Sequence, residues 1–178
     1  MINRRRVYGG SKKLPYDAEI EYLVSTGTQW IDTEYRSDNT NTIELTVVTD
    51  GTDGFMGSNG NMQMDLRLSK ELGKRTMMVT HSKENGPKTY VNGSLVDSQN
   101  YHAYNGYIIA LFAMSTSPSA VSYYSSAVVY SAQLIINSTL VRDFIPVRVG
   151  NVGYMYDKVS GKLFGNAGTG EFILGPDK

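Results

Sequence analysis

The chain has 178 residues, of which 40% are hydrophobic, and a chain of that length removes roughly 70% of its unfolded surface from water, enough for one self-sufficient core. It contains no cysteine, which excludes a disulfide framework, a thiolate metal site and a thiol nucleophile. The formal net charge is +0, yet Arg4, Arg5, Arg6, Lys12 and Lys13 place five positive charges and no acid in the first thirteen residues, leaving 12 basic against 17 acidic residues in the rest.

That division describes a body of about −5 carrying a basic arm, a pattern suited to anchoring on anions or on an acidic protein surface, and equally the pattern of a solvated terminus. The opening MINRRRVYGGSKK lacks the apolar stretch of a signal peptide, so no Sec-type export is expected and the protein is expected to be made in the cytoplasm of its host cell without a signal peptide. The following LPYDA reads as a turn or linker. Residues 1–18 are therefore expected to be arm and linker, and residues 19–178 a single domain.

Strand signals begin at Glu19 to Val24. Ile43, Leu45 and Val47 alternate with Glu44, Thr46 and Val48, which at period two turns an aliphatic face inward. Met62, Met64, Leu66 and Leu68 alternate with Gln63, Asp65 and Arg67 in the same way. Ser69 to Gly73 has room for one helical turn at most. Thr89 to Val96 places Asn92 and Gly93 between two short apolar runs, and both tolerate the positive φ of a type I′ hairpin turn. Tyr107 to Met114 is the longest apolar run, too short to cross a bilayer and suited to a buried strand, so no membrane insertion is expected.

From Ser126 to Ile136 the even positions Val128, Tyr130, Ala132, Leu134 and Ile136 are expected to share one face. Asn137 and Ser138 turn the chain into Leu140 to Val149, so these two strands are expected to pair antiparallel. Pro146 lacks a backbone donor and points to an edge or a bulge. About a dozen short strands with Gly, Asn, Ser and Asp turns and no amphipathic helix define an all-β class, expected as a two-sheet antiparallel jelly-roll sandwich.

Three segments carry a resemblance: Ile20 to Thr33 (IEYLVSTGTQWIDT), Tyr90 to Val96 (YVNGSLV), and the ending from Ser126 through Gly175. The chain resembles concanavalin A-like, laminin G-like jelly-roll domains of phage and gut-bacterial proteins. Its ending is similar to that of short stand-alone proteins in phages and prophages of Bacteroidales. The resemblance implies a virion-surface protein, such as a capsid decoration or head fibre, or else a carbohydrate-binding, lectin-like module contacting host-surface glycans. Fold alone does not choose between them.

Catalytic patterns are sparse. Glycosidases on such sandwiches align carboxylates as Glu-x-Asp-x-x-Glu on one strand; here the nearest spacing is Glu19 and Glu21, which reads as a pair of edge charges. His81 and His102, the only histidines, have no grouped acidic or nitrogen partners and read as surface or strand-end residues. No serine lies in a Gly-x-Ser-x-Gly elbow, and Gly165 to Gly170 (GNAGTG) precedes no helix that would cradle phosphate. Asp50, Gly51, Thr52, Asp53 and Gly54 offer oxygen ligands to Ca²⁺, but an Asp-Gly turn explains them as well and no other cofactor is implied. Asn92-Gly93-Ser94 and Asn137-Ser138-Thr139 fit the glycosylation pattern but fall at turns.

Aromatic side chains are the remaining means of contact, because sugar rings stack on Tyr and Trp. Tyr101, Tyr104, Tyr123 and Tyr124 lie in polar, loop-like stretches and are the candidate glycan or protein contacts, while Trp30 is expected to be half-buried core. The resemblance, taken with the basic arm, thus implies a non-enzymatic virion protein, expected to be anchored to the capsid or another virion protein through Arg4, Arg5, Arg6, Lys12 and Lys13. The alternative is a glycan-binding module. Association of copies through sheet edges or loops is compatible with either.

Overall fold

A computed structural model describes residues 13–38, 40–50, 56–58, 73–82, 84–98 and 106–178. Among them there is no helix, and sixteen strands follow one another: β1 (Ala18–Glu19), β2 (Leu23–Thr26), β3 (Ile31–Arg36), β4 (Ile43–Asp50), β5 (Gly57–Ser58), β6 (Lys74–His81), β7 (Lys88–Val91), β8 (Ser94–Ser98), β9 (Ile108–Leu111), β10 (Met114–Ser117), β11 (Ala120–Ser122), β12 (Ser126–Ile136), β13 (Thr139–Val149), β14 (Val152–Asp157), β15 (Lys162–Phe164) and β16 (Ile173–Leu174). The strand expected at 62–68 and most of the turn at 69–73 lie outside the described residues.

The strands form two sheets in a sandwich-like stack. The larger has eleven strands in the order β15-β14-β13-β12-β4-β6-β7-β8, with β1 on β13, β2 on β12 and β16 on β2; the smaller is β11-β10-β5-β9-β3. Pairing is antiparallel except for a short parallel ladder that sets Met114 beside Gly57 and Ser115 beside Ser58.

Alternation builds the core as expected in β4, where Ile43, Leu45, Val47 and Thr49 are buried and Glu44, Thr46, Val48 and Asp50 are half-buried. In β12 the simple alternation fails. Ala127 and Val129 are buried, then Ala132 and Leu134, while Val128 and Tyr130 face outward. The cause is a bulge: Val129 pairs with Thr49 and Ser131 with Val48, so Tyr130 is the extra residue and the inward set changes from odd to even positions there. Val128 and Tyr130 therefore do not share a face with Ala132 and Leu134.

Two hairpin turns repeat one device. Asn92 and Gly93 (φ 49° and 82°) join β7 to β8, and Asn137 and Ser138 (φ 49° and 64°) join β12 to β13, with both central residues left-handed as a type I′ turn demands. Each Asn also clamps the neighbouring strand. The Asn92 N–H donates to the Thr76 carbonyl and the Thr76 N–H to Asn92 Oδ1, at 2.8 and 3.0 Å. Asn137 makes the same exchange with Thr42, at 2.9 Å both ways. An asparagine is thus required for its side chain as well as for its φ.

Pro146 sits within the larger sheet, at a seam. Its strand pairs with β12 only as far as Phe144 and with β1 from Val147, and the Pro146 carbonyl accepts from the Ile20 N–H at 3.1 Å. A strand residue's N–H and C=O point to the same side, so the missing donor falls where β13 exchanges one neighbour for the other. The apolar run at 107–114 supplies β9, buried along its whole length, and ends at Phe112, whose φ of 62° breaks the strand before β10. Phe112 is fully buried 4.9 Å from the Phe172 ring, which ties the smaller sheet to the C-terminal segment.

Candidate functional site

The site grows from the loop that leaves β2. Gln29 is turned inward, 3% exposed, with its Oε1 accepting from the Thr26 N–H at 2.8 Å and the Ser25 hydroxyl donating to both Oε1 and the Gln29 carbonyl at 3.1 Å. Because Gln29 is pinned inside, its neighbours Thr28 and Trp30 emerge on the other side, Thr28 exposed and Trp30 half-buried against the core.

The segment GNAGTG docks on this loop as an added partner. The Ala167 N–H donates to the Trp30 carbonyl at 2.8 Å and the Thr169 N–H to the Thr28 carbonyl at 3.1 Å, while the Thr28 hydroxyl donates to the Thr169 carbonyl at 2.9 Å. Asn166 Oδ1 accepts from the N–H groups of Trp30 and Gly168, at 3.1 and 2.8 Å, and its amide donates to the Gly170 carbonyl at 2.8 Å. Gly168 is the contact point. A Cβ there would lie 2.0 Å from the Thr28 carbonyl oxygen and 2.8 Å from Trp30 Cδ1, so no larger residue fits.

A third wall comes from the smaller sheet. Val121 of β11 and Tyr124 just after it close an open groove of about 340 Å³ with Thr28, Trp30, Ala167, Gly168 and Thr169. Tyr124 is 44% exposed, and its hydroxyl donates to the Val121 carbonyl at 3.2 Å. The Ser125 N–H donates to the Phe112 carbonyl at 2.8 Å, which fixes the base of that turn. Trp30 makes its hydrogen bonds through its backbone only, so its indole Nε1–H donates to no other described residue.

Of the residues singled out by sequence, Tyr124 lines the groove, and Tyr123 is exposed beside it in a left-handed conformation (φ 50°). Lys13 is exposed at the edge of a second hollow shared with Leu14, Pro15, Tyr16 and Asp17. Arg4, Arg5, Arg6, Lys12, Tyr101, Tyr104 and His102 lie outside the described residues, as do residues 51–54 of the acidic turn. Asp50 accepts from the Gly73 N–H at 2.9 Å. His81 ends β6 as expected but is buried rather than on the surface, 2% exposed. No three His, Cys, Asp or Glu side chains converge among the described residues.

Several carboxylates away from the groove are committed to partners. Asp157, fully buried, accepts from the N–H groups of Asp143, Val159 and Ser160 and from the Ser160 hydroxyl, with Arg142 Nη1 at 3.5 Å. Burial pushes its pKa up, but those hydrogen bonds outweigh it and hold Asp157 below the ordinary carboxylate range. Arg142 itself runs between the sheets, its guanidinium 4.6 Å from the Tyr35 ring and 5.0 Å from Phe164 and its Nε donating to the Thr33 carbonyl at 3.0 Å. Asp32 pairs with Arg36, Asp143 with Lys158 and Asp177 with Arg148.

Sequence reasoning treated Trp30 as core and GNAGTG as a failed phosphate loop; each half of the site was noticed, but not their meeting. The signal was the tight spacing of small residues opposite a tryptophan, and the separation of 136 positions between Trp30 and Asn166 hid it. Compared with known proteins, the chain matches no family model, no curated protein and no solved structure. No helix of the described residues is long and apolar enough to cross a membrane.

Proposed function

We propose that the chain is a non-enzymatic structural protein of a phage virion, a jelly-roll sandwich of the concanavalin A-like type that decorates the capsid and is anchored through its basic arm. The observation that carries this reading is the division of charge between five basic residues in the first thirteen and an acidic remainder, which gives the arm an electrostatic role distinct from the folded body. The chain is held to the larger sheet from Tyr16 and Asp17 onward: Tyr16 packs edge-on at 5.0 Å from Tyr156, and Asp17 accepts from the Gly150 N–H at 2.7 Å. Removing residues 1–13 therefore leaves these contacts in place. The expected result is a folded protein that no longer sediments with capsids, and undiminished occupancy on particles refutes the anchoring.

A second reading is favoured by the groove. Aromatic side chains, hydroxyls and backbone converge there without a paired acid and base, which suits retention of a ligand rather than its chemical conversion. On this reading the sandwich is a carbohydrate-binding module that contacts host-surface glycans. Retention on host polysaccharide, lost with Tyr124→Ala, tests it; a chain that passes unretarded over every polysaccharide of its host refutes it.

A further inference from the structure

Resting on the carbohydrate reading, we infer that the Trp30–Tyr124 groove takes one uncharged pyranose ring, and that charged sugars are excluded from it. Seven residues line the groove and none is charged. A carboxylate or ammonium seated in this open groove loses part of its water without gaining a counter-charge from the lining, a larger cost than neutral hydroxyls incur. The groove's volume of about 340 Å³ lies at the small end of ligand sites, which suits a single ring with its first substituents.

The chemistry of the walls fits such a ring on both of its aspects. Trp30 and Tyr124 offer aromatic surface to the C–H face. The polar edge meets three groups with unused capacity: the Trp30 Nε1–H, which donates to no other described residue, the Thr28 hydroxyl, which donates to the Thr169 carbonyl but still accepts, and the Tyr124 hydroxyl, which is likewise occupied only as a donor. The site is held in shape before any ligand arrives. Gly168 wedges the C-terminal segment against Thr28 and Trp30, and Gln29 fixes the loop from inside, so little ordering is left to oppose binding.

Trp30 is the only tryptophan, so its emission reports on this groove alone. The full chain is titrated with methyl glycosides of glucose, galactose and mannose, and in parallel with glucuronate, glucosamine and a neutral tripeptide, while tryptophan emission is followed. Expected is a saturable change with at least one neutral glycoside and none with the charged sugars or the peptide over the same range. Tyr124→Ala should weaken that affinity about tenfold, in line with the loss of one aromatic stacking partner, with an unchanged melting temperature showing that the fold survives.

Saturation by a charged sugar over the same range as a neutral one, or by the peptide, overturns the inference. So does retention of the protein on polysaccharide with no change in Trp30 emission, which leaves the carbohydrate reading standing and places the contact elsewhere. Absence of both retention and emission change removes the reading together with the inference.

Discussion

Gly168→Ala is the sharpest perturbation of the site. The added methyl carbon would stand 2.0 Å from the Thr28 carbonyl oxygen and 3.1 Å from the carbonyl carbon, and backbone atoms cannot rotate away as a side-chain end can. The C-terminal segment must lift, stretching the hydrogen bonds Ala167 N–H to Trp30, Thr169 N–H to Thr28 and Thr28 hydroxyl to Thr169. Overpacking costs about 1–3 kcal/mol and each weakened hydrogen bond up to about 1 kcal/mol, so a loss of about 2–4 kcal/mol follows. For a chain of this size that lowers Tm by roughly 5–15 °C, with a red shift of Trp30 emission as the indole becomes wetter. Gly153→Ala is the contrast: its Cβ would meet Leu23 Cδ2 at 2.4 Å and Leu174 Cδ2 at 2.7 Å, and because Leu23 is fully buried it also costs about 1–3 kcal/mol, but it spares the hydrogen bonds of the tail to the Trp30 loop and leaves Trp30 emission unchanged. A Gly168→Ala protein with wild-type Tm and emission refutes the docking of the tail on the Trp30 loop.

Other outcomes follow from the same contacts. Arg142→Ala strips Asp157 of its cation and empties the space between Tyr35 and Phe164; breaking a buried pair costs about 3–5 kcal/mol, read as a lower urea midpoint, and a loss below about 1 kcal/mol refutes the role of Arg142 as a tie between the sheets. Asp157 has a folded pKa below its unfolded value, so its stabilisation is complete above the unfolded pKa and disappears as pH falls through the folded one. Stability of the wild type should therefore decline below about pH 4 more steeply than that of Asp157→Asn, and superimposable curves contradict the assignment. Asn137→Gly keeps the positive φ but removes the acceptor for the Thr42 N–H and the donor to Asn41, and should cost about 1 kcal/mol in thermal unfolding; no change would mean that the turn depends on φ alone.

Much of the sheet was legible because its signals are local. The strand Ser126–Ile136, the hairpin at Asn92-Gly93 and the turn at Asn137-Ser138 each depend on side-chain period or on a residue's tolerance of positive φ, and these read directly from adjacent residues. The inward set of β12 was not legible, since a bulge is decided by the partner strand: whether Tyr130 is skipped depends on how Thr49 and Val48 pair with it. The seam at Pro146 was half-legible, its missing donor readable but the change of neighbour from β12 to β1 not. The groove escaped for the same reason. Gly168 is required by a carbonyl 140 residues away in the chain, and a single sequence gives no means of matching the two. Tyr124 alone among its walls was singled out as a contact residue, because exposure of an aromatic in a polar stretch is a local property.

The most direct test of the proposed function is physical: purify intact phage particles by density gradient and measure by quantitative mass spectrometry whether this chain is present in fixed proportion to the capsid protein. A constant ratio in the wild type that vanishes when residues 1–13 are deleted is the predicted result. Particles that lack the chain altogether, or carry it equally well without its basic arm, contradict the account.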